Sequence, residues 1–184
     1  MNYLVDTCVL FPTVMRTIFL EAVKSKRDNA FWSEKILSEW SASAKKNGEL
    51  GQLQADAEIS ILRANWPNSI IGFSLELEHS LYLPDLNDRH VLAAAIAGKC
   101  DAIITLNKKD FPRKILSQYG LIRLDPDYVI LEYLEDDAPS IIKIAQGLLS
   151  EANRKFNEQL TIRQLFKKAR LPRTAKALSN LIDG

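Results

Sequence analysis

Short apolar runs alternate with longer stretches of helical periodicity along this chain. Tyr3-Leu4-Val5 is apolar and stops at Asp6, the pattern of a buried strand. Pro12 opens a helical pattern in which Val14, Ile18, Leu20, Ala22 and Val23 fall mostly on one side. Proline suits a first helical turn. Ala30-Phe31-Trp32 predicts a second strand, and Ser33 predicts the N-cap of a helix through Ile36, Leu37 and Trp40. Asn47-Gly48 ends that helix, another is expected from Leu50 to Ala64, and Trp66-Pro67-Asn68 breaks it. Ser69 to Phe73 is β-like, with no obvious partner.

Leu81-Tyr82-Leu83 predicts a strand leading to Pro84, followed by an alanine-rich helix from about Asp88 to Gly98. Asp101 to Leu106 predicts a strand buried on both faces, Lys109 to Tyr119 a helix, and Leu121 to Leu124 a last short strand. Strands alternating with helices imply βαβ units, because parallel strands need long crossovers. The expected core is therefore an α/β parallel sheet flanked by helices, over residues 1–124.

After Asp125-Pro126 the pattern is purely helical. Ile141, Ile142, Ala145, Leu148, Leu149 and Ala152 recur at helical spacing, and Thr161 with Gln164 forms a capping-box pattern. Pro172 separates that segment from Ala175, Leu178, Leu181 and Ile182. Residues 125–184 are expected to form a small extension of three or four helices. Within it, the Leu160–Arg170 and Arg173–Ile182 helices, joined by a short turn, imitate a helix-turn-helix.

Composition narrows the class. With 184 residues, 47% hydrophobic and 26% charged, the chain reads as one folded, soluble domain with a short appendage, not as a disordered segment. The longest uncharged run, Ala64 to Leu75, has twelve residues, and a membrane helix needs about 20. The start has no basic segment ahead of an apolar one, so no signal peptide is expected. Cys8 and Cys100 cannot build a disulfide framework or a four-cysteine zinc site and read as small core residues. The expected compartment is cytoplasmic. The net charge of +1 hides an asymmetry. Residues 139–184 hold nine Lys/Arg and three Asp/Glu, a net +6, against 15 and 20, a net −5, in residues 1–138. An acidic site beside a basic binding surface would produce such a split.

Function in an open parallel sheet collects at the carboxyl ends of the strands. Asp6 ends the first strand. Asp85 and Asp88 follow Leu81–Leu83. Thr105, Asn107 and Asp110 follow the Ile103–Leu106 run, and Glu39 lies early in the helix after the second strand. Several carboxylates in one cleft repel, and a hard divalent cation relieves the repulsion. Such an ion keeps waters that can serve phosphodiester hydrolysis.

Four segments carry a family likeness: Leu4-Val5-Asp6-Thr7; Ile36-Leu37-Ser38-Glu39; Asp85-Leu86-Asn87-Asp88-Arg89-His90-Val91-Leu92-Ala93-Ala94-Ala95; and Ile104-Thr105-Leu106-Asn107-Lys108-Lys109-Asp110-Phe111-Pro112. Together they resemble the PIN-domain family of metal-dependent ribonucleases, which includes VapC-type toxins of toxin–antitoxin pairs. The tail, with Asp125-Pro126-Asp127-Tyr128 and Leu171-Pro172-Arg173, resembles the helical extension of one subgroup. The resemblance implies a three-layer PIN-like fold with a catalytic quartet of Asp6, Glu39, Asp88 and Asp110. Asp6, Asp88 and Asp110 would hold Mg²⁺ or Mn²⁺, and Glu39 would orient or deprotonate a water. Thr7, Thr105 and Asn107 would hydrogen-bond the acids around the metal, and Asp85 either joins them or caps the helix. Implied partners are an RNA substrate and a cognate antitoxin, with room for a homodimer.

Outside the quartet, Arg16 could face phosphate or pair with an acid of the quartet, Lys108, Lys109, Arg113 and Lys114 form a basic rim, and Lys167, Lys168 and Arg170 could extend an RNA surface. His90 stands about 200° around a helix from Asp88 and is expected to hydrogen-bond within the fold. Trp32, Trp40 and Trp66 read as core. No glycine-rich phosphate loop, serine elbow or zinc-spaced histidine pair is present. The competing reading is a non-catalytic protein that holds nucleic acid or a partner through the basic tail.

Overall fold

The computed structural model describes residues 1–183. Four strands, β1 (Asn2–Val5), β2 (Asn29–Phe31), β3 (Ala102–Ile104) and β4 (Ile122–Leu124), form one parallel sheet in the order β2-β1-β3-β4. β1 is central: Leu4 stands opposite Phe31 on one side and Ile103 on the other. Both neighbours are parallel, so helices must carry the chain back each time, which is why these strands read as continuous apolar runs. Leu4, Val5, Ile103 and Ile104 are fully buried.

Helices in chain order are α1 (Thr7–Leu10), α2 (Thr13–Ser25), α3 (Glu34–Lys45), α4 (Glu49–Asn65), α5 (Leu75–Ser80), α6 (Arg89–Ala97), α7 (Arg113–Leu116), α8 (Pro126–Asp136), α9 (Ala138–Phe156), α10 (Ile162–Lys168) and α11 (Pro172–Asp183). The caps are local chemistry. Ser33 accepts a hydrogen bond from Ile36 N, and Asp125 accepts one from Asp127 N with Pro126 in the first turn. Gly48, at φ 91°, makes the turn between α3 and α4 that a side chain would strain.

Several expectations change. Leu81–Leu83 is not a strand. Leu81 and Leu83 are buried and Tyr82 is exposed, so the alternation is real, but the segment joins no ladder. It is three residues long and runs into Pro84, which has no N–H to donate. The helix expected over Lys109–Tyr119 begins only at Arg113 and ends in a 3₁₀ turn at Ser117–Tyr119. Phe111 precedes Pro112 and is thereby disfavoured in helical geometry. Ser69–Phe73 does find a partner: Ile70 bridges Trp32, with Trp32 N donating to Ser69 O and Ile71 N to Trp32 O. Trp32 and Trp40 are fully buried, and Trp66 packs edge-on against Trp32 with ring centres 6.1 Å apart.

The chain divides into two compact units. The first comprises Met1–Phe11 and Asn29–Arg123, and contains β1–β3, Ile122 and Arg123 of β4, α1 and α3–α7. The second comprises Pro12–Asp28 and the chain from Leu124 onward. The C-terminal helices therefore pack with α2, an element that the sequence pattern groups with the sheet. In this second unit α2 touches α8 and α9, and α11 touches α8 and α10.

Asp127 ties the second unit together. It is buried, and its carboxylate accepts hydrogen bonds from Arg173 N and Thr174 N, both at 2.9 Å. Thr174, itself fully buried, returns a bond to the Asp127 carbonyl. A side chain on α8 thus caps α11. Asp127→Ala strands two backbone donors and should cost about 2–3 kcal/mol in denaturant unfolding. A loss under about 0.5 kcal/mol, the range of a neutral surface change, would refute the cap.

Candidate functional site

Strand register brings the first two polar groups together. Val5 pairs with Ile104, so the next residues, Asp6 and Thr105, emerge side by side at the carboxyl end of the sheet. Asp6 N donates to Ile104 O at 3.1 Å. The Thr105 hydroxyl donates to Asp6 Oδ2 at 2.6 Å and accepts from Asn107 N at 2.9 Å. Asp6 and Thr105 are both buried, so this bond fixes the carboxylate in a low-dielectric setting where an unpaired one would be costly.

Cys8 belongs to the same cluster, contrary to its reading as a plain core residue. Its thiol donates to Asp6 Oδ2 at 3.1 Å and accepts from Leu106 N at 3.3 Å. Burial and the Asp6 charge push that thiol up to about 12, so it stays protonated and unreactive.

Three further carboxylates converge. Asp85, Asp88 and Asp110 each offer an oxygen, and the three oxygens lie within 4.8 Å of one another. Asp85 also accepts from Asn87 N at 2.9 Å and caps the 3₁₀ turn Leu86–Asp88. Asn107 Nδ2 donates to Asp88 Oδ2 at 3.1 Å, and Asn107 Oδ1 accepts from Asp110 N at 3.3 Å. Asn107 thereby links two of the acids. Burial, followed by the charges of Asp6, Asp85 and Asp110, pushes the Asp88 carboxyl up to about 6.

Glu39 stands apart from this trio, on α3. Thr7, the first residue of α1, directs its hydroxyl at Glu39 Oε2 (2.9 Å) and at the Ile36 carbonyl (3.2 Å). His90, fully buried in α6, brings Nε2 to 2.7 Å from Glu39 Oε1 in a short, bent contact. Its Nδ1 has no partner among the described residues. Burial pushes the Glu39 carboxyl up, but His90 and Thr7 outweigh it and hold the group below its usual range. That stabilisation is present at neutral pH and is lost as pH falls through the lowered value. Asp88 lies in the 3₁₀ turn ahead of α6, so the α-helical angle between it and His90 does not apply; His90 faces Glu39 without the well-aligned hydrogen bond expected of it.

Arg123 on β4 is a site neighbour that the pattern did not single out. Its guanidinium donates to the carbonyls of Lys108 (2.5 Å) and Phe111 (2.9 Å), clamping the loop that carries Asp110. The one available signal was a charged residue inside an apolar strand. Lys108, Lys109, Arg113 and Lys114 are exposed on and after the same loop. Arg16 is buried on α2 in the other unit, and Lys167, Lys168 and Arg170 are exposed there.

The donor set is all oxygen and carboxylate-rich, and it suits a hard cation such as Mg²⁺ or Mn²⁺ rather than zinc. A family model described as the PIN domain matches residues 2–109, more than half of the chain. This chain belongs to the PIN-domain family. The matched region spans Asp6, Glu39, Asp85 and Asp88, and Asp110 directly follows it. A stretch of 48 residues of this PIN protein is 44% identical to a Mycobacterium tuberculosis (strain ATCC 25618 / H37Rv) protein named "Putative ribonuclease VapC50". That stretch is 26% of this chain and 28% of the mycobacterial protein. No solved structure matches. Among the described residues, no helix is long and apolar enough to cross a membrane.

Proposed function

We propose that this PIN domain is a divalent-metal-dependent endoribonuclease, the toxin of a toxin–antitoxin pair. The observation that carries the reading is the convergence of Asp85, Asp88 and Asp110 within 4.8 Å, with the Asp88 carboxyl pushed up to about 6. A purely structural cluster would be selected to avoid that repulsion, whereas a cation site depends on it. Asp88 and Asp110 would hold the ion, with Asp85 or Asp6 completing the set. A bound Mg²⁺ or Mn²⁺ would supply positive charge to neutralise the acids and to stabilise charge developing on the cleaved phosphodiester.

The chain's own residues supply the rest. Glu39, kept ionised by His90 and Thr7, can accept the proton of a water attacking phosphorus. As the water oxygen bonds to phosphorus, the bond from phosphorus to the ester oxygen breaks, and that oxygen leaves with the electron pair and takes a proton from solvent. Thr105 fixes Asp6, and Asn107 aligns Asp88 with the Asp110 loop. Lys108, Lys109 and Arg113 would meet the phosphates flanking the cleaved bond, because backbone charge dominates RNA affinity. The mycobacterial relative's name, that of a ribonuclease, supports RNA as substrate; a cognate antitoxin would be the protein partner and the cytoplasm the compartment.

The test is cleavage of a labelled single-stranded RNA by the purified chain. Activity should vanish in EDTA and return with Mg²⁺ or Mn²⁺ but not with Ca²⁺, whose larger, looser coordination sphere suits the chemistry poorly. Cleavage that persists in EDTA would refute the reading.

A further inference from the structure

We propose that α10 and α11 form a helix-turn-helix element that binds double-stranded DNA through an exposed basic face. The proposal does not rest on the ribonuclease reading, since it concerns the other compact unit and other residues. The Thr161–Gln164 capping box starts α10. A three-residue turn, Ala169 to Leu171, then leads into α11. Arg170 N donates to Lys167 O at 3.0 Å and Leu171 N to Phe166 O at 2.9 Å, with Arg170 at φ 61°. This is a Schellman stop, and Leu171, which follows the left-handed residue, is fully buried. Ile162, Leu165, Phe166, Leu171, Ala175 and Leu178 are all buried on the inner side.

The outer side is cationic. Arg163, Lys167, Lys168, Arg170, Arg173 and Lys176 are all exposed, and no Asp or Glu occurs between Thr161 and Ile182. Lys168 pairs with Glu158 from the preceding loop at 3.3 Å. Surface helices ordinarily mix both signs, because opposite charges three or four residues apart stabilise and like charges destabilise. Here Arg163 with Lys167, and Arg173 with Lys176, set like charges at those spacings. A polyanion removes that repulsion.

Duplex DNA is the polyanion that the shape favours. Arg173, Lys176 and Asn180 are exposed at i, i+3 and i+7 along α11, a row of phosphate-contacting and base-reading side chains on one helix face. A helix of this length, about 18 Å, enters the major groove of B-form DNA. The deep, narrow major groove of A-form RNA excludes it. Asp127 occupies the first backbone donors of α11, so the side of the helix, not its N-terminus, is left to meet the duplex.

The test uses the full chain in EDTA, so that metal-dependent RNA cleavage cannot intervene. Fluorescence anisotropy would follow binding to a DNA duplex of about 20–30 base pairs, to the same sequence as single-stranded RNA and to its RNA duplex, between about 50 and 200 mM salt. DNA should bind tightest. The triple variant Lys167→Ala/Arg173→Ala/Lys176→Ala should weaken it at least about tenfold, with the salt slope reduced by about one unit per lost contact. Arg170→Gly should also weaken binding yet melt no lower than the wild type, because glycine adopts this φ freely, which separates a lost contact from a lost fold. Either RNA binding as tightly as the DNA duplex would overturn the proposal and make this face an RNA surface. Wild-type DNA affinity and salt slope in the triple variant, or no DNA binding by the wild type, would overturn it as well.

Discussion

Asp88→Asn should abolish metal-dependent RNA cleavage, by at least about 10³-fold or about 4 kcal/mol of transition-state stabilisation, while making the metal-free protein more stable. The two effects share one cause. Burial and the neighbouring charges of Asp6, Asp85 and Asp110 push the Asp88 carboxyl up to about 6, above its value in an unfolded chain. A group raised in the folded state contributes its stabilisation below the unfolded value and loses it as pH rises through the folded one. At pH 8 the ionised Asp88 is therefore a liability that only a cation relieves. Asparagine is nearly isosteric, keeps an oxygen for the Asn107 Nδ2 donor and carries no charge. The side chain is partly solvated, which reduces the gain to about 1 kcal/mol at pH 8, and the gain should disappear near pH 4. Mg²⁺ should raise the melting temperature of the wild type but not of the variant, because only the wild type retains the differential affinity that linkage requires. Asp85→Asn should lose less activity, since part of what Asp85 does is cap the Leu86–Asp88 turn. Thermal melts with and without EDTA, together with single-turnover cleavage, check all of this. An Asp88→Asn protein that cleaves at the wild-type rate would remove Asp88 from the site.

What could be read from the sequence was local. Asp6 ends an apolar run, and Asp88 stands at the head of an alanine-rich helix. Asp110 follows a fully buried strand, and each of these acids is marked by its immediate neighbours. The parallel sheet was legible for the same reason, since β1 and β3 are buried on both faces and so lose the polar alternation of an exposed strand. Relations between distant residues were not legible. Glu39 and His90 are 51 positions apart on different helices, and no periodicity within α3 or α6 announces their contact. Cys8 looked like core because a thiol is small and apolar, yet the register of β1 against β3 sets it beside Asp6 and Thr105. Leu81–Leu83 has a strand's burial pattern but no ladder, because alternation reports which side faces the core and not whether a neighbour's backbone is in reach. The grouping of α2 with the C-terminal helices was hidden too, since an amphipathic stripe does not name the surface that covers it.

The second large effect concerns the pairing that the sequence concealed. His90→Ala should lower stability by about 2–3 kcal/mol, combining a cavity at a fully buried ring with a half-exposed carboxylate left with Thr7 alone. Its effect on cleavage should fall on kcat and not on KM, because His90 is buried behind Glu39 and acts on RNA only through it. The direction with pH follows from the cause. His90 holds the Glu39 carboxyl down, so its removal lets burial push that carboxyl up, and the acidic limb of the pH–rate profile should move to higher pH. His90→Gln keeps a donor near Glu39 Oε1 and much of the volume, and should recover part of both kcat and stability. Asp88→Asn serves as the contrasting case: it removes activity at every pH without lowering stability, whereas His90→Ala lowers stability and shifts the profile. Should folded His90→Ala retain the wild-type kcat and an unshifted acidic limb, Glu39 would need no positioning and its role as proton acceptor would have to be abandoned.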